Sequence, residues 1–152
     1  MVWGCFCKLG VGPLLPIEGT MNANKYKGVL KDYMIPQLRQ WFGVRRSSSI
    51  FQQDNAPCHK AEDILKYLKE QQIQILEWPP YSPDLSPIEN LWTIIKRRLN
   101  EEGSLSRNDL EKRLEQLWNY DRYMTPHVNK LIESMPRRIK ACIDNNGGPI
   151  SY

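Results

Sequence analysis

The sequence has no long apolar stretch. None of its runs reaches the roughly 18 consecutive apolar residues that a membrane-spanning helix needs, so we expect no membrane partner. The N-terminal residues Met-Val-Trp-Gly-Cys are not a charged segment followed by a long apolar one, so we expect no secretory signal. Internal repeats and low-complexity tracts are also lacking, which excludes solenoids and other repeat architectures.

Cysteine is sparse and unpaired in sequence. The four cysteines (Cys5, Cys7, Cys58 and Cys142) form no C-x-x-C motif, which favours reduced and mostly buried thiols. One alternative stays open: Cys5, Cys7, Cys58 and His59 could bind zinc if strand ends bring them together.

The composition is that of a globular domain. The chain has 152 residues, is 41% hydrophobic and contains five Trp and seven Tyr, so it predicts one domain with a sizeable core. The formal net charge of +4 is compatible with a polyanionic partner, although many soluble domains are equally basic.

The apolar pattern predicts an α/β fold. We expect strands at 2–7, 13–17, 49–53 and 73–76, with a helix at 60–71 placed to form a parallel βαβ unit. Thr20 or Asn22 is expected to cap a first helix that Pro36 kinks or ends, and residues 43–48 are expected to form a surface loop. Further helices are expected to start at Pro87, Ser106, Thr125-Pro126 and Met135-Pro136. The residues predicted to face the core include Tyr26, Val29, Leu30, Tyr33, Leu91, Ile95, Leu110, Leu114, Leu117, Trp118, Ile139, Cys142 and Ile143.

Two carboxylates are candidate metal ligands. Asp54 follows the short apolar run Ile50-Phe51, and Glu89 lies at the start of an amphipathic helix. Carboxylate oxygens suit Mg²⁺, and two such ions can clamp a phosphodiester for in-line displacement. The alternatives are a turn role for Asp54 and a favourable charge at a helix N-terminus for Glu89.

Polar residues surround both carboxylates. Asn55 and His59 could hydrogen-bond a carboxylate or a DNA phosphate, although His59 could equally orient the following helix. The basic run Lys96-Arg97-Arg98 could contact DNA phosphates, although such a run is usually a solvated face. We expect Asp84 to make local backbone hydrogen bonds rather than to serve as a third carboxylate ligand.

Three motifs carry a family resemblance: QDNAPCH at 53–59, Trp78-Pro79, and SPDLSPIENLW at 82–92. Val2-Trp3-Gly4-Cys5-Phe6, residues 19–23 and Tyr26 add to it. Together they resemble the catalytic domain of the Tc/mariner superfamily of DNA transposases, whose fold is ribonuclease-H-like. The length of the segment 55–88 between the two carboxylates suits the Tc branch.

The resemblance implies a mixed sheet flanked by helices, with the first core strand missing. Residues 1–102 would then be a partial core, and 103–152 a helical C-terminal extension of the same domain. Asp54 and Glu89 would be the catalytic carboxylates and would bind two Mg²⁺ (or Mn²⁺) ions. Asn55, His59 and Asn90 would support this site. The residues that bind DNA would be Lys96, Arg97 and Arg98.

The first catalytic Asp of that family precedes the strand at 2–7 and is absent from this sequence. Without that Asp we expect the chain to be inactive alone. Because the missing first strand would leave sheet edges exposed, we also expect the chain to be poorly soluble or oligomeric. The hypothesis is a fragment of a nuclear cut-and-paste transposase that cleaves, transfers and integrates DNA. Its partners would be transposon ends, target DNA and a second copy of the chain, with no small-molecule substrate. The alternative is a non-catalytic DNA- or protein-binding module derived from a transposon.

Overall fold

A computed structural model describes residues 1–43 and 49–151. The chain forms two compact units: Met1–Val2 with Ile17–Tyr81, and Trp3–Pro16 with Ser82–Tyr152. The loop predicted at 43–48 lies outside the described residues, apart from Gly43. The domain boundary predicted at residue 102 stays a prediction.

The elements alternate between strands and helices and end in a run of helices. In chain order they are β1 (Val2–Cys7), β2 (Gly10–Pro16), α1 (Ala23–Val29), a π-helical segment (Leu30–Met34), α2 (Ile35–Phe42), β3 (Ile50–Phe51), α3 (Glu62–Glu70), β4 (Gln74–Ile75), α4 (Pro87–Glu101), α5 (Arg107–Asn119), α6 (Asp121–Glu133) and α7 (Met135–Asp144). Over the described residues, no helix is long and apolar enough to cross a membrane.

In the first unit, one continuous helical stretch runs from α1 through α2. Asn22 caps α1 by accepting a hydrogen bond from the Lys25 backbone N–H, as one of the two predicted caps. Pro36 does not end the helix, which continues through α2 to Phe42 directly after the π-helical turn, and the alternative that Pro36 kinks it stays a prediction. The same turn changes which residues of the helix face the core. Met34 is buried, whereas Tyr33, which was predicted to face the core, is exposed.

The βαβ prediction is confirmed in this unit. β3 and β4 pair in parallel, with Ile50 opposite Gln74 and Phe51 opposite Ile75, and α3 connects them. Both strands lie where the apolar runs predict but are only two residues long. Because parallel strands end at the same edge of a sheet, the segments that follow β3 and β4 emerge side by side.

In the second unit, β1 pairs with β2 across the turn at Lys8-Leu9. Phe6, Val11 and Leu14 of these strands pack against a helical core. That core consists of Leu91, Ile95, Leu117, Trp118, Met124 and Val128. The Trp118 indole N–H donates to the Gly12 carbonyl at 2.7 Å, and its ring stacks on Trp92 at 5.1 Å between centroids.

Some helical predictions in this unit are wrong. α6 already begins at Asp121 and carries Pro126 inside it, and Leu110 of α5 is exposed. In α7, Ile139 and Ile143 are 47% and 69% exposed, because the helix is rotated to bury Arg138. The cap predicted at Ser106 is confirmed: its hydroxyl accepts from the Asp109 N–H at 3.2 Å.

Candidate active site

Asp54 lies just past β3 with its carboxylate held at one oxygen. Its Oδ1 accepts from the Ala56 backbone N–H at 3.0 Å and lies 2.6 Å from His59 Nδ1. The side chain is nevertheless 61% exposed, and among the described residues Oδ2 has no partner. A carboxylate fixed at one oxygen and open at the other is suited to binding a hard cation without reorganising.

A second set of contacts fixes His59 behind this carboxylate. The buried Tyr26 hydroxyl donates to Gln53 Oε1 at 2.6 Å, and Gln53 Nε2 donates to the His59 carbonyl at 3.2 Å. The Tyr26 and His59 rings also lie 4.1 Å apart between centroids. His59 is therefore held through both its ring and its backbone, which orients Nδ1 toward Asp54.

Asn55 links the loop after β3 to the segment after β4. Its Nδ2 donates to the Trp78 carbonyl at 2.7 Å. Because β3 and β4 are parallel neighbours, this bond joins the two segments at the strand ends where ligands commonly bind in α/β sheets. Asn55 therefore acts on the backbone that presents Asp54 rather than on the carboxylate itself.

Glu89 occupies the first turn of α4 in the second unit. Its side chain is exposed, and no hydrogen bond or ion pair to it is found among the described residues. The helix N-terminus favours its negative charge. Asp54 belongs to the first unit and Glu89 to the second, so each carboxylate is described with the residues of its own unit.

Asn90 and Asp84, on either side of the α4 start, are tied to α7. Asn90 Oδ1 and the Asp84 carbonyl each accept from the guanidinium of buried Arg138 at 3.0 Å. The backbone hydrogen bond found for the Asp84 side chain is not local, because its Oδ2 accepts from the Ile150 N–H at 2.8 Å.

The three basic residues of α4 point in different directions. Lys96 follows Glu89 by about two helical turns and shares its face. Arg97 is also exposed, next to that face. Arg98 lies on the opposite side, 3.6 Å from Glu101 Oε2, where it lines a cavity of about 450 Å³ with Arg113 and Tyr120.

The zinc alternative finds no support. Among the described residues, no three His, Cys, Asp or Glu side chains are placed to hold a metal ion together. Burial, with a smaller contribution from neighbouring Cys7, raises the pKa of Cys5 to about 12. Burial also raises the pKa of Cys7, so both thiols favour the protonated state over a metal-binding thiolate.

Sequence reasoning assigned no site role to three residues that hold the surroundings of the two carboxylates: Tyr26, Gln53 and Arg138. Tyr26 and Gln53 belong to the motifs that carry the resemblance. Their roles become visible only in the folded chain, where α1 contacts the loop after β3. Arg138 had no such signal, because the apolar spacing of α7 pointed to Ile139 and Ile143 instead.

Comparison with known proteins connects these features to a family. Residues 2–111 match the DDE superfamily endonuclease domain. The chain is 41% identical over 152 residues to the transposable element Tcb1 transposase of Caenorhabditis briggsae, and 37% identical over 153 residues to the Tc1 transposase of Caenorhabditis elegans. Each match covers the whole chain but only 54% of the relative, so the chain spans about half the length of these proteins.

A solved structure extends the match to the fold. The catalytic domain of the Mos1 mariner transposase is similar with a TM-score of 0.84 and 26% identity, over 99% of this chain and 74% of that one. This likeness confirms the predicted ribonuclease-H-like fold class. Other Mos1 structures contain Mg or Mn, or are paired-end complexes. The chain therefore belongs to the DDE superfamily endonucleases.

Proposed function

We propose that this chain supplies Asp54 and Glu89 as metal-binding carboxylates of a cut-and-paste transposase, which cleaves DNA at transposon ends and joins it to target DNA. The observation that carries the proposal is the held but open carboxylate of Asp54, in a chain of this family. The transposase would act in the nucleus, as a homodimer on paired ends.

The donor set fits the metal that the family implies. Asp54 and Glu89 offer exposed carboxylate oxygens, the ligands preferred by Mg²⁺ and Mn²⁺. Bound ions of this kind activate the attacking hydroxyl and stabilise the leaving oxygen in phosphoryl transfer. Structures of the Mos1 catalytic domain with Mg and with Mn support the same choice here.

The chain's own residues position the donors. His59 and the Ala56 N–H hold Oδ1 of Asp54, leaving Oδ2 free for a ligand. The N-terminus of α4 favours the negative charge of Glu89. Lys96, on the Glu89 face, and neighbouring Arg97 place positive charge where a DNA backbone would pass.

Paramagnetic Mn²⁺ provides a direct test on the 152-residue chain. At substoichiometric Mn²⁺, we expect NMR amide signals to broaden at residues 53–56 and at residues 87–91, because each of the two carboxylates binds Mn²⁺. Asp54→Asn or Glu89→Gln should weaken binding by more than the 10–100-fold typical of losing an outer-shell partner. Glu133→Gln, which removes an exposed charge at the end of α6, is the control. Broadening that is spread over the surface, or that survives both substitutions, would refute the proposal.

A further inference from the structure

The helix that carries Glu89 begins without a side-chain cap. Ser86 is its N-cap residue, only 5% exposed, and makes no capping hydrogen bond. The first N–H groups of a helix lack intrahelical partners, so an uncapped first turn tends to fray. Pro87 presets the backbone angle at the first helical position but adds no bond. Something else must therefore hold the turn on which Glu89 sits.

Arg138 of α7 spans this helix start. Its Nη1 donates to the Asp84 carbonyl and its Nη2 to Asn90 Oδ1, both at 3.0 Å. Asp84 precedes the cap residue and Asn90 follows Glu89, so the two arms of one guanidinium bracket the first turn. Arg138 Nε donates to Ser134 Oγ at 2.7 Å, which anchors the side chain on its own helix.

The chemistry of this contact requires arginine. The side chain is 2% exposed, and a buried guanidinium is costly unless its donors are used. Its planar fork reaches two acceptors at once, which a lysine ammonium cannot do with the same fixed geometry. The Ile150 N–H bond to Asp84 Oδ2 secures the same segment from the C-terminal end.

We propose that Arg138 is the positioning residue for Glu89. It acts through Asp84 and Asn90, holding the first turn of α4 so that the carboxylate keeps one direction. This role rests on the proposed function of Glu89 as a metal ligand. Arg138 lies beyond residues 2–111, the part that matches the endonuclease family, so that match does not assign it.

Amide hydrogen exchange on the full chain tests whether Arg138 holds the turn. Leu91 and Trp92 report the first turn of α4, because their amides donate to its first carbonyls. In Arg138→Met and Arg138→Lys we expect these amides to exchange about tenfold faster or more, while amides of α5 and α6 change less. Lys140→Met, which removes an exposed charge of α7 paired with Asp144 of the same helix, is the matched control and should leave the rates unchanged.

Unchanged rates at Leu91 and Trp92 would overturn the inference. So would an equal increase throughout α5 and α6, since Arg138 would then only stabilise the unit. If Arg138→Met does not fold, Arg138→Lys, which keeps the charge and loses the fork, decides the outcome.

Mn²⁺ binding then tests the link to Glu89. We expect Arg138→Lys to lower Mn²⁺ affinity about tenfold, in the range of lost outer-shell partners. Faster exchange with unchanged affinity would overturn the positioning role. If the unmodified chain itself shows no Mn²⁺ binding at Glu89, the proposed function fails, and the exchange rates still decide whether Arg138 holds the turn.

Discussion

At the residue scale, the candidate site depends on the side chains that fix the orientation of Asp54 as well as on the carboxylates. Asp54 is exposed, yet its direction is set by His59, which is set in turn by Gln53 and the buried Tyr26. Such support keeps a ligand in its binding orientation before the ion arrives. The sequence motif indicates Asp54 as a candidate ligand. Only the contacts in the folded chain show that Tyr26 helps to orient it, through Gln53 and His59.

A glycine in β1 makes a residue-scale prediction about stability. A Cβ at Gly4 would lie 2.8 Å from Cη2 of the Trp118 ring, which is stacked on Trp92 and cannot easily move. Gly4→Ala should therefore lower the free energy of unfolding by about 1–3 kcal/mol. Gly28→Ala is the matched control in α1, where an added Cβ meets nothing within 4 Å. It should stabilise by about 0.5–1 kcal/mol. Equal effects in urea unfolding would contradict this packing.

Thiol reactivity gives a second residue-scale prediction. With a pKa of about 12, only about one Cys5 in ten thousand is a thiolate at pH 8, and the thiolate is the reactive form. We expect iodoacetamide to label Cys5 much more slowly in the folded protein than in the urea-unfolded protein at the same pH. Reactivity of Cys5 should rise as pH increases towards 12. Mass spectrometry of the labelled peptides checks this, and equally rapid labelling of Cys5 in the folded and unfolded protein at pH 8 would contradict the raised pKa.

At the element scale, α4 presents two different faces. Glu89 and Lys96 share one face, while Arg98 lies on the other beside Glu101. Lys96 and Arg97 are exposed without a described ion pair, so their charge is available to an anion. The three basic residues of α4 therefore lie in two different environments: Lys96 and Arg97 are exposed near Glu89, and Arg98 lies beside Glu101.

DNA binding should distinguish these faces. If Lys96 contacts one phosphate, Lys96→Ala should reduce the slope of log affinity against log salt concentration by about 0.9. Arg98→Ala removes the same charge from the opposite face and should leave the slope nearly unchanged. Fluorescence anisotropy at several salt concentrations measures both slopes. Equal changes for the two variants would indicate non-specific attraction by net charge.

Element positions were largely predictable, whereas the rotation of some helices was not. Apolar periodicity and capping residues located β3, α3, β4 and α4, because these signals are local. The π turn shifted the buried face from Tyr33 to Met34, and α7 turned Arg138 inward. The burial of Arg138 depends on Asp84 and Asn90, partners distant in sequence that no local pattern encodes.

At the scale of the whole molecule, the candidate functional residues are divided between two compact units. Asp54 with its supporting residues belongs to the first, and Glu89 with Arg138 belongs to the second. The family resemblance predicted that these residues serve one reaction, and the family match extends across both units. The sequence alone could not predict that α7 supports Glu89, since that contact joins segments about 50 residues apart.

The central claim is most directly tested by DNA cleavage in a full-length transposase. The chain would replace the matching 54% of the Tcb1 transposase, and Mg²⁺-dependent cleavage would be measured on DNA bearing the ends of that element. We predict cleavage by this chimera, reduced more than about a hundredfold by Asp54→Asn or by Glu89→Gln but not by Glu133→Gln. A chimera that folds and binds this DNA without cleaving it, or one whose cleavage survives both substitutions, would contradict the account.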